Sequence, residues 1–159
     1  MRLRFASLYL TLLATLSAPG CDESSTSPGT PVTDTYAAVR VQAVNRINAF
    51  RATVSLPPLA HWSAADSCAD QEAKHDSEVG TAHASFGSCN EQAQNECLGW
   101  PSPDSIVSQC LQQMWNEGPG SDFSTHGHYI NMTNTSYTKV SIGFYTTPGG
   151  AVWSVQNFG

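Results

Sequence analysis

Five cysteines in one chain, behind a leader that sends it out of the cytoplasm, constrain this sequence more than any other feature. Arg2 and Arg4 open the chain, and Phe5 to Leu16 (FASLYLTLLATL) is an uncharged apolar run of about a dozen residues. That is the length of a signal-peptide core and too short to cross a bilayer as a helix. The cysteines stand at Cys21, Cys68, Cys89, Cys97 and Cys110. An odd count in an oxidising compartment leaves one thiol without a partner.

Cys21 follows Ser17, Ala18, Pro19 and Gly20, directly behind the apolar run. The placement resembles a bacterial lipoprotein processing site, where the cysteine is lipidated; ordinary signal cleavage nearby, with Cys21 a spare thiol, is the competing reading. Lipidation leaves four cysteines for two disulfides, and short loops favour Cys68–Cys89 and Cys97–Cys110 among three connectivities. No C-x-x-C pair suggests thiolate-bound zinc. Residues 1–20 are thus expected to be a signal peptide and 21–33 a flexible tether, rich in Ser, Thr, Pro and Gly. Localisation follows as exported, on a membrane-anchored bacterial lipoprotein in the periplasm or at the cell surface, otherwise secreted.

Without Arg2 and Arg4, five Lys and Arg stand against thirteen Asp and Glu, a net charge of −8. Such a chain repels nucleic acid and anionic lipid, so no nucleic-acid partner is expected and membrane contact only through the lipid anchor. A cation is not opposed.

From about Asp34 the pattern is helical, with Ala43, Ile47, Phe50 and Val54 on one face and Thr33 to Thr35 as candidate caps. Leu56-Pro57-Pro58 ends that helix, and Leu59 to Trp62 is extended. Ser63 to Asp66 resembles a capping box opening a second helix to about Glu78. Its apolar face is all small residues (Ala65, Cys68, Ala69, Ala73), which predicts close packing, with Glu72 and Asp76 at the polar edge. Val79 to Gly99 has no period and reads as loop with one short strand. Ser102-Pro103-Asp104 starts a third helix with Ile106, Val107, Cys110, Leu111 and Met114 buried, stopped by Gly118-Pro119-Gly120. Lys139 to Tyr145 and Ala151 to Phe158 form a hairpin around Thr147-Pro148-Gly149-Gly150. Helices first and a hairpin last make an α+β domain.

Four polar residues interrupt this scheme. His83 lies in a loop after helix two, Glu96 between two cysteines, Glu117 at the close of helix three, and His128 in a loop before the hairpin. Two imidazoles and two carboxylates make a site if the fold gathers them.

These residues resemble those of the CAP superfamily: cysteine-rich secretory proteins, antigen 5 and pathogenesis-related-one proteins. Asn48-Ala49-Phe50-Arg51 matches its N-x-x-R, and Leu56 to Trp62 its L-x-P-L-x-W step. Ala82-His83 resembles its A-H, Asn95-Glu96 its G-E-N, Met114 to Glu117 its W-x-x-E, and Gly127-His128-Tyr129 with Asn131-Met132 its G-H-Y-x-x-M/V. Val140 to Phe144 and Val152 to Phe158 resemble the closing hairpin. Trp115 stands two residues before Glu117 rather than three, and Cys97 replaces the asparagine after the cleft glutamate.

The resemblance implies an α-β-α sandwich of CAP type over 34–159, helices flanking a small, mostly antiparallel sheet. It implies a cleft tetrad of His83, Glu96, Glu117 and His128, able to bind a divalent metal such as Zn2+ through His83 and His128. Neutral imidazole suits zinc, and carboxylates beside it fix the tautomer. His128 rather than His126 is the site residue, because it alone follows the glycine and precedes the tyrosine. His126 is expected on solvated surface, His61 at a strand edge and His75 on a solvated helix position. The expected function is a non-enzymatic binding module for a small apolar, lipid- or sterol-like ligand or a protein partner. A metal- or histidine-dependent hydrolase or peptidase, and a structural domain with a vestigial cleft, are the alternatives. No catalytic residue is assigned, since neither an H-E-x-x-H helix nor a nucleophile motif is present.

Overall fold

The computed structural model describes residues 34–159; the expected signal peptide, Cys21 and the tether lie outside the described residues. The element order is α1 (Ala37–Thr53), β1 (Ala60–His61), a 3-10 turn (Ser63–Ala65), α2 (Asp66–Val79), β2 (Ala93–Trp100), α3 (Pro103–Ser105), a π turn (Ile106–Cys110), α4 (Leu111–Trp115), α5 (Phe123–Thr133), β3 (Lys139–Thr146) and β4 (Val152–Phe158). No helix among the described residues is long and apolar enough to cross a membrane.

The strands form one mixed sheet in the order β1-β3-β4-β2, parallel only between β1 and β3. Alternation along the strands splits the core in two. Val140, Ile142, Phe144 and Phe158 face α1 and α4, while Val155 faces Ala69 and Ala73 of α2. The result is an α-β-α sandwich with β2 on a free edge. The predicted close approach of α2 is made at Gly143 of β3, where a Cβ would collide with the Ala69 backbone.

Asn48 and Arg51 prove to be clamps. Asn48 donates to the Leu59 carbonyl (2.9 Å) and accepts from the Leu59 amide (2.8 Å). Arg51, fully buried, donates to the carbonyls of Pro57 (2.9 Å), Met132 (2.6 Å) and Asn134 (3.2 Å), tying α1 to the end of α5. Phe50, Trp115 and Tyr129 stack in a column from α1 through α4 to α5, with ring centroids 5.1 and 4.6 Å apart. The disulfides pair Cys68 with Cys89 and Cys97 with Cys110.

Five expectations need correction. Val54 is exposed, because α1 ends one residue before it. The residue capping α1 is Tyr36, without a side-chain bond, since Asp34 is engaged by Arg40. Ser63 to Ala65 form a 3-10 turn and α2 opens at Asp66 with no capping bond; Asp66 accepts from the Ile142 amide (3.1 Å) and pairs with His61 (2.8 Å) instead. The stretch read as loop with one short strand holds the longer, eight-residue strand β2, whose polar residues Gln94, Asn95 and Glu96 are buried. Residues 123–133, read as loop, are helix α5, opened by the Asp122 side chain accepting from the Ser124 amide.

Candidate functional site

Glu117 lies two residues past α4 and points at the first turns of α5. Its Oε2 accepts the backbone N–H of His128 (2.9 Å) and of Tyr129 (3.3 Å), and its Oε1 meets His128 Nδ1 at 2.5 Å. A carboxylate only accepts there, so Nδ1 carries the proton and Nε2 is left as a lone-pair donor. His126 is not solvated surface: its ring Nδ1–H donates to the carbonyls of Glu117 (2.7 Å) and Gly118 (3.0 Å). The two histidines around Gly127 therefore grip one residue, His128 by the carboxylate and His126 by the backbone. Gly120 must lack a Cβ because the His126 ring occupies that space.

His83 is built differently. It has φ +59°, and its amide donates to Glu96 Oε2 (2.8 Å) while Nδ1 meets Gln94 Oε1 (2.8 Å). Gln94 spends its amide hydrogens on Asn157 Oδ1 (3.0 Å) and Glu72 Oε2 (3.2 Å), so its oxygen faces His83 and Nδ1 is again the protonated nitrogen. The Nε2 atoms of both site histidines have no hydrogen-bond partner among the described residues.

Gln94 and Glu96 point to the α2 side of the sheet, whereas Asn95 points to α5, where it accepts from Asn131 Nδ2 (2.9 Å). The halves meet over the free edge of β2. A pocket of about 200 Å³ there is lined by His83, Gln94, Asn95, Glu117, His128 and Asn131. Glu96 opens instead to a neighbouring pocket shared with Glu117 and His128.

Burial separates the carboxylates. Burial first, then the carboxyl of Asp76 against it, push Glu96 up to about 8, against the pull of the His83 amide. Glu72 is pushed up to about 7 by burial and by Glu91, while Asn157 pulls the other way. Glu72 and Asp76, placed at the polar edge of α2 by the sequence pattern, are 2% and 0% exposed. Sequence reasoning missed them, and Gln94 and Glu91 with them; the only signal was an acidic pair one helical turn apart beside small residues. His75 keeps its exposed helix position and bonds Ser85 Oγ (2.9 Å).

Among the described residues, one set of three His, Cys, Asp or Glu donors lies mutually within 4.8 Å, and it is Glu72, Cys89 and Glu91 rather than the cleft tetrad. A metal in the cleft would therefore rest on two imidazoles and non-protein ligands.

Residues 44–158 match the CAP family, described as the cysteine-rich secretory protein family. The chain belongs to this family. Solved CAP-fold structures agree: an extracellular protein containing an SCP domain from Bacillus anthracis is 20% identical, with a TM-score of 0.53 over 76% of this chain. This chain spans only 40% of that protein. An outer surface protein of Borrelia burgdorferi is 19% identical, with a TM-score of 0.55 over 78% of this chain and 93% of its own. NaASP2, solved with Zn2+, is 17% identical, with a TM-score of 0.55 over 82% and 84% of the two chains. Curated protein sequences return no match. CAP membership accounts for the fold; two disulfides and the acidic group of Glu72 and Glu91 are features of this chain's own structure.

Proposed function

We propose that this CAP domain is an exported, non-enzymatic binding module whose cleft holds a divalent cation, zinc by preference, through Nε2 of His83 and His128. The observation carrying the reading is the matched pair of rings: each Nδ1 is held by a neighbour and each Nε2 is without a partner, on walls of one pocket. Glu117 and Gln94 act as orienting partners of the kind that fix a ligating tautomer. NaASP2 was solved with Zn2+, which makes zinc the first ion to try.

Beside this pocket runs a groove of about 300 Å³ lined by Phe86, Ala93, Phe123 and Tyr137, sharing His83, Gln94 and Asn131 with it. Phe86 and Phe123 are 51% and 62% exposed, which is costly for aromatic rings that cover nothing. A small amphipathic ligand fits, its apolar body on the aromatics and its polar end at the cleft. Cys21 as a lipidated anchor and 22–33 as a tether would hold the module at a membrane surface.

The arrangement favours binding over hydrolysis. A general base at neutral pH must be ionised, yet burial pushes Glu96 up to about 8, and both oxygens of Glu117 are committed to α5. Isothermal titration of the oxidised protein with zinc, beside a His83→Ala/His128→Ala variant, tests the reading. One zinc lost in the variant is expected; equal binding by both would sink it. Peptide turnover abolished by Glu96→Ala would favour the hydrolase instead.

A further inference from the structure

We propose that Glu72 and Glu91 form a second metal site, selective for a hard divalent cation of the calcium class and separate from the His83/His128 cleft. Their carboxylate oxygens, with Cys89 Sγ, lie within 4.8 Å of one another, and all three residues are buried. Two oxygens can share one calcium ion at 2.3–2.6 Å only when they are closer than about 5 Å, a condition this pair meets. The sulfur does not compete as a thiolate, because Cys89 is bonded to Cys68. An all-oxygen set disfavours the softer ions that thiolates select.

The unpartnered oxygen at the heart of this acidic pair is what points to a ligand. Glu72 Oε2 accepts from Gln94 and from Asn157 (2.5 Å), but Oε1 finds no donor, and the Glu91 carboxyl stands against this side chain. Glu72 is almost wholly buried, and a buried acceptor without a donor is expensive. Glu91 is pinned in place by the amides of Gly87 and Cys89 (2.9 Å), so it cannot swing away from Glu72. A cation between the pair cancels two like charges that a low-dielectric interior otherwise sets against each other.

Access is present. A pocket of about 410 Å³ reaches Glu72 from the surface past Gln71, His75, Ser85 and Ser88. Its amide and hydroxyl oxygens, with water, can complete the six to eight ligands calcium takes. The rival occupant is a proton shared between the two carboxyls, which predicts indifference to calcium.

The test is thermal unfolding of the disulfide-intact exported protein at pH 8, in EDTA and in calcium. At calcium about a hundredfold above Kd, Tm is expected to rise by about 5–10 °C, and less with magnesium, which resists so irregular a ligand set. Glu72→Gln keeps the volume, removes one charge, raises Tm in EDTA and abolishes the calcium increment. Glu91→Gln abolishes the increment as well. His83→Ala/His128→Ala retains it. Indifference of the wild type to calcium, an increment surviving in Glu72→Gln, or its loss in the histidine variant would each overturn the proposal. Failure of zinc binding in the cleft would leave it standing, so the two sites fail separately.

Discussion

The two halves of the cleft use the same residue types and reach opposite electrostatic states. In the His128 half, Glu117 is 23% exposed and both its oxygens are occupied by one short helix. In the His83 half, Glu96 is buried at the end of a row of carboxyls on α2 and the following loop, and its Oε1 has no partner. The first half is a local clamp, closed over 11 residues of sequence. The second depends on α2, β2 and β4 being packed together, and it carries charge that packing alone does not satisfy. A His–Glu pair is thus no single device; what the carboxylate faces decides whether it orients the ring or stores a proton.

The largest effects come from undermining each half separately. Trp115→Ala removes the middle ring of the column beneath His128 and is expected to cost about 3–4 kcal/mol in denaturant unfolding. Gly143→Ala drives α2 off the sheet, costing about 2–3 kcal/mol. Amide exchange should rise around α5 in the first variant and around β2 and the His83 loop in the second. Exchange rising equally in both halves would break the comparison.

Next comes pH, acting through Glu72 and Glu96 of the His83 half. Glu72 and Glu96 sit at about 7 and 8 in the folded protein against an ordinary 4.5. The native state therefore keeps protons that the unfolded chain releases above about pH 4.5. That stability is whole at lower pH and is lost as pH rises through 7 to 8. In metal-free buffer Tm should fall on the order of 5 °C between pH 5 and pH 8. Glu96→Gln should flatten that slope.

Much of the fold is legible in the sequence because ordinary amphipathic logic holds there: the stripe on α1, the cap of α3, and the Val- and Phe-rich hairpin. Strand β2 escapes it because Gln94, Asn95 and Glu96 turn inward on both faces of the sheet, so no alternation of polarity survives. Helix α5 escapes it because Ser124 to His128 are polar and contain Gly127; the helix is held by Asp122 and Glu117, outside its own span. Glu72 and Asp76 look solvated because an acidic i, i+4 pair usually is. His83, Glu96, Glu117 and His128 stand out in the sequence by residue type and by family resemblance, but the partners that set the tautomers belong to tertiary structure alone.

Smaller effects sharpen the ring chemistry. Glu117→Gln keeps an oxygen for the two backbone N–H groups but turns its NH2 toward His128 Nδ1, which reverses the tautomer, and zinc affinity should fall about tenfold by titration. His126→Ala removes a bond to the Glu117 and Gly118 carbonyls, costing about 1 kcal/mol of stability while leaving one zinc bound. A tenfold loss of zinc in that variant would mean that His126 belongs to the site.

The central claim is that His83 and His128 present Nε2 into one cleft. Two-bond proton–nitrogen correlation spectra of the ring nitrogens, at a pH where both are neutral and with zinc then added, test it most directly. The expected result is the Nδ1–H tautomer at both residues, with both Nε2 signals moving together until one equivalent is bound. An Nε2–H tautomer at either ring, or zinc moving one ring without the other, would contradict the account.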